Sequence, residues 1–277
     1  MDYNNQTNLT EKQEQQTSVQ GQTDASVQTQ EERQKRYQRP KQPRVLTAQQ
    51  RRQRTLFLVQ MALLVAIEAI FCFTPLGSLP AIGPIVMTLA MIPVVISAIL
   101  FGTGVGSLMG LVAGIFSLIV WTFMPPNPVT AFVFSPFAGS GELQGNFWSL
   151  VICIVPRVLT GTVAGLVYRG INACVERNRA KHPDAKPSRW KNILACAVGG
   201  AAGSLTNTLL VLGGIYLFFG QAYAQALETA YSLLLLIIGG TILSNGIPEA
   251  VLSALCSAAV CVPLKKLLNR KRREAEA

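Results

Sequence analysis

The chain alternates between long apolar runs and short polar segments, and this pattern predicts an all-α membrane protein. A helix that crosses a bilayer needs about 20 apolar residues, because each residue advances it by about 1.5 Å. We therefore expect a bundle of six transmembrane helices. The six runs lie at 55–75, 85–101, 104–124, 148–170, 192–219 and 230–262.

The composition agrees with this pattern. Half of the residues are hydrophobic and only 14% are charged, whereas soluble domains carry roughly 25% charged residues. The net charge of +10 would suit a nucleic-acid partner, but Lys and Arg are confined to 12–54, 169–191 and 265–273, with Arg157 alone outside these blocks. This placement predicts contact with membrane lipids and no nucleic acid.

The positions of the basic blocks also predict the orientation of the chain. Lys and Arg collect on the cytoplasmic side of membrane proteins. The loops at 76–84, 125–147 and 220–229 contain neither residue, which places them outside. We expect a multi-pass protein of the cell membrane with its N- and C-termini in the cytoplasm.

Three parts make up the predicted organisation. Residues 1–54 contain 14 Gln and little apolar material, so we expect a disordered cytoplasmic tail. Residues 55–265 form the six-helix membrane domain, and 266–277 form a basic cytoplasmic tail. The stretch "RRQR" at 51–54 would anchor the first helix at the anionic inner leaflet.

The chain offers little that could hold a metal or a cofactor. Its one histidine, His182, lies in a predicted cytoplasmic loop, and its six cysteines show no CxxC spacing. No phosphate-binding or dinucleotide-binding motif is present. We predict no catalytic residues, no metal and no cofactor.

Small residues recur at intervals of four in several runs. This spacing lets two membrane helices approach closely, so we expect the glycines to pack inside the bundle. Ala62 and Ala66 form a similar pair in the first run, where they would offer a smooth surface to another membrane subunit. The glycines are Gly106, Gly110, Gly114, Gly161, Gly165, Gly199 and Gly203.

Polar residues at membrane depth are the most informative, because an ionisable group there usually faces a cavity or a partner. Arg157 and Glu249 both fall near the middle of their runs. In each of the last two runs, three polar residues follow i, i+3, i+4 spacing and so share one helix face. We predict a binding pocket between three helices. Its candidate residues are Arg157, Ser204, Asn207, Thr208, Thr241, Asn245 and Glu249.

Pro248 interrupts the last run next to Glu249. It removes a backbone hydrogen bond and frees the carbonyl near Ser244, which a lined cavity can satisfy. This predicts a kinked, polar pocket wall. A second interpretation is a buried ion pair between Arg157 and Glu249, with the asparagines merely joining helices; Glu68 in the first run is another candidate partner for Arg157.

Over about 55–265 the chain resembles the substrate-binding (S) components of energy-coupling factor (ECF) vitamin transporters, most of all their pantothenate-type branch. The resemblance is carried by ordered stretches that include "PAIGPIVMTLAMIPVVISAILFGTGVGSLMGLVAGIFSLI", "PRVLTGTVAGLVYR", "GSLTNTLLVLGGIYLFFG" and "NGIPEAVLSA". It implies capture of a vitamin from outside and docking on a membrane-embedded T component with two ATPases, which would hydrolyse the ATP. It also implies that Ala62 and Ala66 meet the T component.

The pocket chemistry and the resemblance together indicate the substrate. One guanidinium suits a single carboxylate or phosphate, and Asn and Thr suit hydroxyls and amides. Pantothenate has one carboxylate, one amide and two hydroxyls, and the resemblance is to the pantothenate-type branch, so pantothenate leads. Riboflavin would need more aromatic surface, and a thiamine precursor is a third option. The aromatic residues that keep riboflavin open are Phe132, Phe134, Phe147 and Trp148.

A function of another class is a solitary ion-coupled secondary transporter of a small organic anion, with a carboxylate as proton relay. Many such transporters contain paired repeats with interrupted helices in both halves. Only one clear interruption is found here, at Pro248 and Glu249. The sequence therefore favours the S component.

Overall fold

The computed structural model describes residues 47–74, 89–140, 143–181 and 189–276, and the statements below concern these residues. They divide at Arg54/Thr55 into two units. Of the first unit only 47–54 is described, so most of the predicted tail at 1–54 lies outside the described residues, as does the predicted loop at 76–84. The described α-helices are α1 (Ala48–Phe73), α2 (Met91–Phe101), α3 (Thr103–Phe123), α4 (Phe147–Lys181), α5 (Arg189–Ala226), α6 (Tyr231–Thr241) and α7 (Ile247–Glu276).

Five helical segments of the described chain are long and apolar enough to cross a membrane. Helix α2 is apolar but has 11 residues, and 85–88 of its predicted run lies outside the described residues. The prediction of an all-α membrane protein is confirmed, while the count of six spans and the location of the termini stay predictions. The five segments are Ala48–Phe73, Thr103–Phe123, Phe147–Asn178, Trp190–Ala226 and Tyr231–Leu267.

Close glycine contacts hold the helices together. A Cβ atom at Gly110 would overlap the carbonyl oxygen of Arg157, and one at Gly161 would overlap that of Gly106. A Cβ at Gly203 would lie 2.9 Å from the Cβ of Ala164. The prediction that these glycines pack inside the bundle is confirmed, because the backbones of α3, α4 and α5 approach too closely for a side chain.

Gly102 separates α2 from α3. Its φ of 105° lies in the region that glycine adopts at little cost. A Cβ there would also overlap the Arg169 guanidinium. The sharp junction between the two helices therefore depends on glycine.

The connection between α3 and α4 folds back onto the bundle. It contains a short 3-10 helix, Pro128–Val133, and a hairpin of two strands with two residues each, β1 (Gly139–Ser140) and β2 (Leu143–Gln144). The hydroxyl of Ser149 donates to the carbonyl oxygen of Phe132 at 2.7 Å. Phe132 and Phe134 are buried against α5 and α6, so this connection closes one end of the bundle.

Candidate binding site

The predicted site residues lie in a polar layer between two apolar clusters. On α4, Arg157 lies between Ile152 of one cluster and Ala164 of the other. On α5 the polar residues lie between Cys196 and Val211, and on the α6–α7 segment they lie between Ile238 and Cys261, which again belong to the two clusters. Three neighbouring helices therefore contribute polar side chains at one level of the bundle. All seven predicted pocket residues are buried: Arg157, Ser204, Asn207, Thr208, Thr241, Asn245 and Glu249.

Arg157 is held by the backbone of its own helix. Pro156 lies inside α4 and has no N–H, so the carbonyl of Ile152 lacks its usual helical donor. The Nη1 of Arg157 donates to this carbonyl oxygen at 2.9 Å. The side chain is 8% exposed, and this bond fixes the orientation of its guanidinium plane.

An aromatic stack lies against the same guanidinium. Its carbon is 5.7 Å from the ring centre of Phe134, and Phe134 stacks on Trp121 with ring centres 4.4 Å apart. Nη2 donates to the hydroxyl of Ser117 at 3.3 Å. Among the described residues the Nε–H has no hydrogen-bond partner, and only two of the five guanidinium N–H donors are used by these two bonds. A buried, oriented cation thus keeps donors for a ligand.

Helix α5 and the segment just before α7 approach closely. A Cβ at Gly246 would lie 2.9 Å from the Cγ2 of Thr208. The Ser204 hydroxyl lies close to the Glu249 carboxylate, although the pair does not meet hydrogen-bond geometry. The structure therefore brings Ser204, Thr208 and Glu249 together, as the helical spacing predicts.

The interruption predicted near Pro248 takes the form of a single π-helical turn. It covers Ile242–Gly246, and the N–H of Ile247 donates to the carbonyl oxygen of Ile242, five residues back. Turns of this kind are rare inside α-helices and frequent at functional sites. This turn carries the buried Asn245, and α7 then begins with Glu249 in its first turn.

Glu68 adds a second buried carboxylate. It is the one buried residue among those of α1, at 0% exposure, and its Oε1 accepts a 3.5 Å hydrogen bond from the Sγ of Cys72. Both Glu68 and Glu249 interact electrostatically with Arg157. Within the described part of the chain, however, neither carboxylate forms a direct ion pair with the guanidinium, so the buried ion pair of the second interpretation is not observed there.

Several buried polar atoms of this layer have no hydrogen-bond partner among the described residues. Buried polar groups are nearly always hydrogen-bonded, and exceptions point to an unseen water, ion or ligand. These atoms include both donors and acceptors, which suits a ligand that carries a charge and hydroxyl or amide groups. They are Arg157 Nε, Ser204 Oγ, Asn207 Oδ1, Glu249 Oε1 and Glu68 Oε2.

Two predicted pocket hydroxyls are occupied by their own helices. Thr241 Oγ1 donates to the carbonyl oxygen of Ile237 at 2.8 Å, and Thr208 Oγ1 donates to that of Ser204 at 3.3 Å. Their lone pairs stay free to accept, but their donor protons are used. Asn207 and the two carboxylates are thus better placed to recognise hydroxyl and amide groups.

Ala62 and Ala66 lie on the exposed face of α1. Helical geometry places them on the side opposite to the buried Glu68. Large apolar residues on this helix are exposed as well, including Leu58 and Leu63. The two alanines are therefore accessible to a partner in the membrane.

Sequence reasoning missed the residues that orient Arg157. Pro156, Ser117 and Trp121 were not among the candidates, and Phe134 was considered for stacking on a ligand rather than on Arg157. One signal was available for Pro156, because a proline directly before an arginine inside an apolar run frees a carbonyl within reach of that arginine. The partners on other helices depend on tertiary packing.

Comparisons with known proteins give consistent results. The family model described as "ECF transporter, substrate-specific component" matches residues 56–261. The chain is also 30% identical over 187 residues to the pantothenic acid transporter PanT of Lactococcus lactis subsp. cremoris, an alignment that covers 67% of this chain and 81% of that protein.

Proposed function

Because the chain belongs to the substrate-specific component family of ECF transporters, we propose that it captures pantothenate outside the cell and delivers it across the membrane with an ATP-driven energy-coupling module. The family and the apolar helices support a multi-pass membrane protein that takes up a vitamin. The name of the PanT relative supports pantothenate as that vitamin.

The observation that carries this proposal is the oriented guanidinium of Arg157. Its bond to Ile152 and its contact with Phe134 fix its plane before a ligand arrives, and its Nε–H is unused. A planar guanidinium binds a carboxylate through two parallel hydrogen bonds. Pantothenate has one carboxylate, and Arg157 is the one Lys or Arg of the sequence outside the three basic blocks.

The remaining groups of pantothenate match the other polar residues of the layer. Its amide and two hydroxyls need both donors and acceptors, which Asn207 and Asn245 supply through their amide side chains. Glu249 offers a carboxylate oxygen without a partner, which suits a hydroxyl donor. Ser204, Thr208 and Thr241 contribute further hydroxyl oxygens on the same two helical segments.

Riboflavin is less well supported because the aromatic rings that could stack on it are already paired. Phe134 lies between Trp121 and Arg157. Trp148 stacks on Phe218 with ring centres 4.0 Å apart and an interplanar angle of 9°. A flavin ring would have to displace these contacts.

The proposed partners follow from the family. We place the T component against Ala62 and Ala66, where α1 exposes small residues, and assign ATP hydrolysis to two ATPase subunits. In this arrangement the six spans run with both termini in the cytoplasm and the polar layer opens outward. The chain acts as a transporter subunit, not as an enzyme.

The test is to purify the chain in mild detergent, identify any co-purifying vitamin by mass spectrometry, and titrate the ligand-free protein by calorimetry. Pantothenate should bind, and riboflavin and the thiamine pyrimidine should not. Preferential binding of either alternative would overturn the substrate. Accumulation of pantothenate by liposomes that contain only this chain, without ATP, would support the solitary secondary transporter instead.

A further inference from the structure

The charges buried in the polar layer do not balance. Arg157 is 8% exposed, Glu249 9% and Glu68 0%. Among the described Asp, Glu, Lys and Arg residues, these three are buried. The sequence supplies no further cation, because no Lys or Arg occurs in 55–156, 158–168 or 192–264. One buried guanidinium therefore interacts electrostatically with two buried carboxylates.

Neither carboxylate has the partners that a buried negative charge requires. A buried ionised carboxylate is stable only when it is paired and hydrogen-bonded. Glu68 accepts one long bond, from the thiol of Cys72, and its Oε2 has no partner within the described ranges. Glu249 has Ser204 nearby, and its Oε1 is also without a partner.

A bound anion makes this imbalance worse. If an anion binds to Arg157, one guanidinium must balance the charges of the anion and of two carboxylates. The layer then gains one negative charge. Charges of the same sign in a low-dielectric site repel strongly. An anion is therefore bound best by the state in which one of the two carboxylates holds a proton.

Glu68 is the better acceptor for this proton. It is fully buried and has a single weak donor, whereas Glu249 lies beside Ser204. The titratable or charged groups that interact with Glu68 or its partner Cys72 are Arg157 and Cys153 from α4. The described residues of α2 and α3 include no charged side chain, so nothing there offsets a charge on Glu68.

We propose that the anionic vitamin binds to the state in which Glu68 holds a proton, so that one proton is taken up with the anion wherever the free chain has lost it. The inference rests on the proposed function, since it concerns a carboxylate substrate at Arg157. Linkage fixes the sign of the effect: a ligand that binds with a proton loses affinity as the pH rises, by up to about tenfold per pH unit. An uncharged ligand at the same site brings no charge and shows no such loss.

The test uses the full chain in detergent and two probes, pantothenate and its uncharged alcohol analogue pantothenol. Calorimetry is run from about pH 6 to about pH 8.5, where pantothenate stays ionised because carboxylic acids titrate near pH 4. Two buffers with different ionisation enthalpies at each pH report the number of protons taken up. At the upper end of this range we expect pantothenate to take up about one proton and to lose about tenfold in affinity per pH unit, while pantothenol binds equally at every pH.

The variant Glu68→Gln identifies the proton acceptor, because an amide imitates a protonated carboxyl. It should bind pantothenate without the pH-dependent loss. The matched control is Glu228→Gln, in the turn between α5 and α6, which should keep the pH dependence of the unmodified chain. If Glu68→Gln does not fold, the two-buffer measurement on the unmodified chain decides whether a proton is bound.

The outcomes separate this inference from the proposed function. Pantothenate binding with equal heats in both buffers and a constant affinity would overturn the proton linkage and leave the function standing. The same pH dependence for pantothenol would also overturn it. Full pH dependence in Glu68→Gln would remove the assignment to Glu68. Absence of binding by both probes at every pH would overturn the proposed substrate and, with it, this inference.

Discussion

The guanidinium of Arg157 donates a 2.9 Å hydrogen bond to the carbonyl oxygen of Ile152, an oxygen that Pro156 leaves without its helical donor. The same three residues therefore repair a defect in α4 and fix the direction of a buried cation. Since no described residue accepts from the Nε–H of Arg157, the arrangement suits a ligand that meets the guanidinium from the Nε side. Arg157 therefore has two roles that can be tested separately. Its Nη1 completes the backbone hydrogen bonding of α4, and its Nε–H is available to a ligand.

Arg157→Lys should weaken pantothenate binding by about 1–3 kcal/mol, roughly ten- to a hundredfold, because lysine keeps the charge but loses the planar pair of donors. Calorimetry in detergent measures the change. Arg169→Lys makes the same substitution near the α2–α3 junction and should leave the affinity unchanged. Equal affinities for Arg157→Lys and the unmodified chain would contradict a bidentate contact.

Gly110→Ala should destabilise the bundle by about 1–3 kcal/mol, the usual cost of overpacking. The new Cβ would overlap the backbone carbonyl of Arg157, and α3 could relieve the overlap only by moving away from α4. Gly104→Ala is the matched control on the same helix, because nothing lies within 4 Å of a Cβ at that position. Thermal unfolding in detergent compares the two variants, and equal midpoints would show that the α3–α4 contact is loose.

Much of the fold could be predicted because each membrane-spanning helix corresponds to a long apolar run in the sequence. A run must be apolar along its length to face lipid, so its extent gives the helix. Gly106 and Gly110 could be assigned to helix contacts because the spacing of four puts small residues on one face. No such run marks the 3-10 helix and hairpin after α3. Phe132 and Phe134 are buried there by tertiary contacts with α5 and α6, which a local sequence pattern does not show.

The site could be predicted only in outline. Burial of Arg157 and Glu249 followed from their depth in apolar runs, and the break near Asn245 followed from Pro248. The π-helical form of that break could not be predicted, because the same proline permits several local arrangements. The family resemblance itself, read from ordered motifs, is confirmed by the comparisons, whereas the roles of the individual residues stay predictions.

Replacing Ala62 and Ala66 together with Trp should abolish vitamin uptake by cells that contain the complete transporter, because bulky rings would hold α1 away from a partner helix. Pantothenate binding by the isolated chain should stay near normal, since both alanines lie on the exposed face of α1. Leu217→Trp, at an exposed apolar position on α5, should affect neither property. Loss of both uptake and binding in the double variant would indicate a folding defect and remove the support for an interface.

The pair Pro156 and Arg157 allows the structural and binding roles of the guanidinium to be measured separately. Arg157→Met removes the donor to the Ile152 carbonyl, and an unsatisfied buried carbonyl costs about 1–3 kcal/mol. Adding Pro156→Ala supplies a backbone N–H to that carbonyl again, so the double variant should regain much of the lost thermal stability. Pro156→Ala alone should fold normally and still bind pantothenate, because the guanidinium is then released from Ile152 but keeps its contact with Phe134.

Binding by the double variant decides between the two roles. If Arg157 receives the substrate carboxylate, the variant with both Pro156→Ala and Arg157→Met should be stable and yet bind pantothenate at least about tenfold more weakly, since a charge-assisted bond of about 1.5–3 kcal/mol is missing. Its affinity for pantothenol should fall less, because that ligand has no carboxylate to lose. Near-normal pantothenate binding by the stable double variant would show that Arg157 serves only to complete the backbone hydrogen bonding of α4, and the carboxylate would then have to be recognised elsewhere in the bundle.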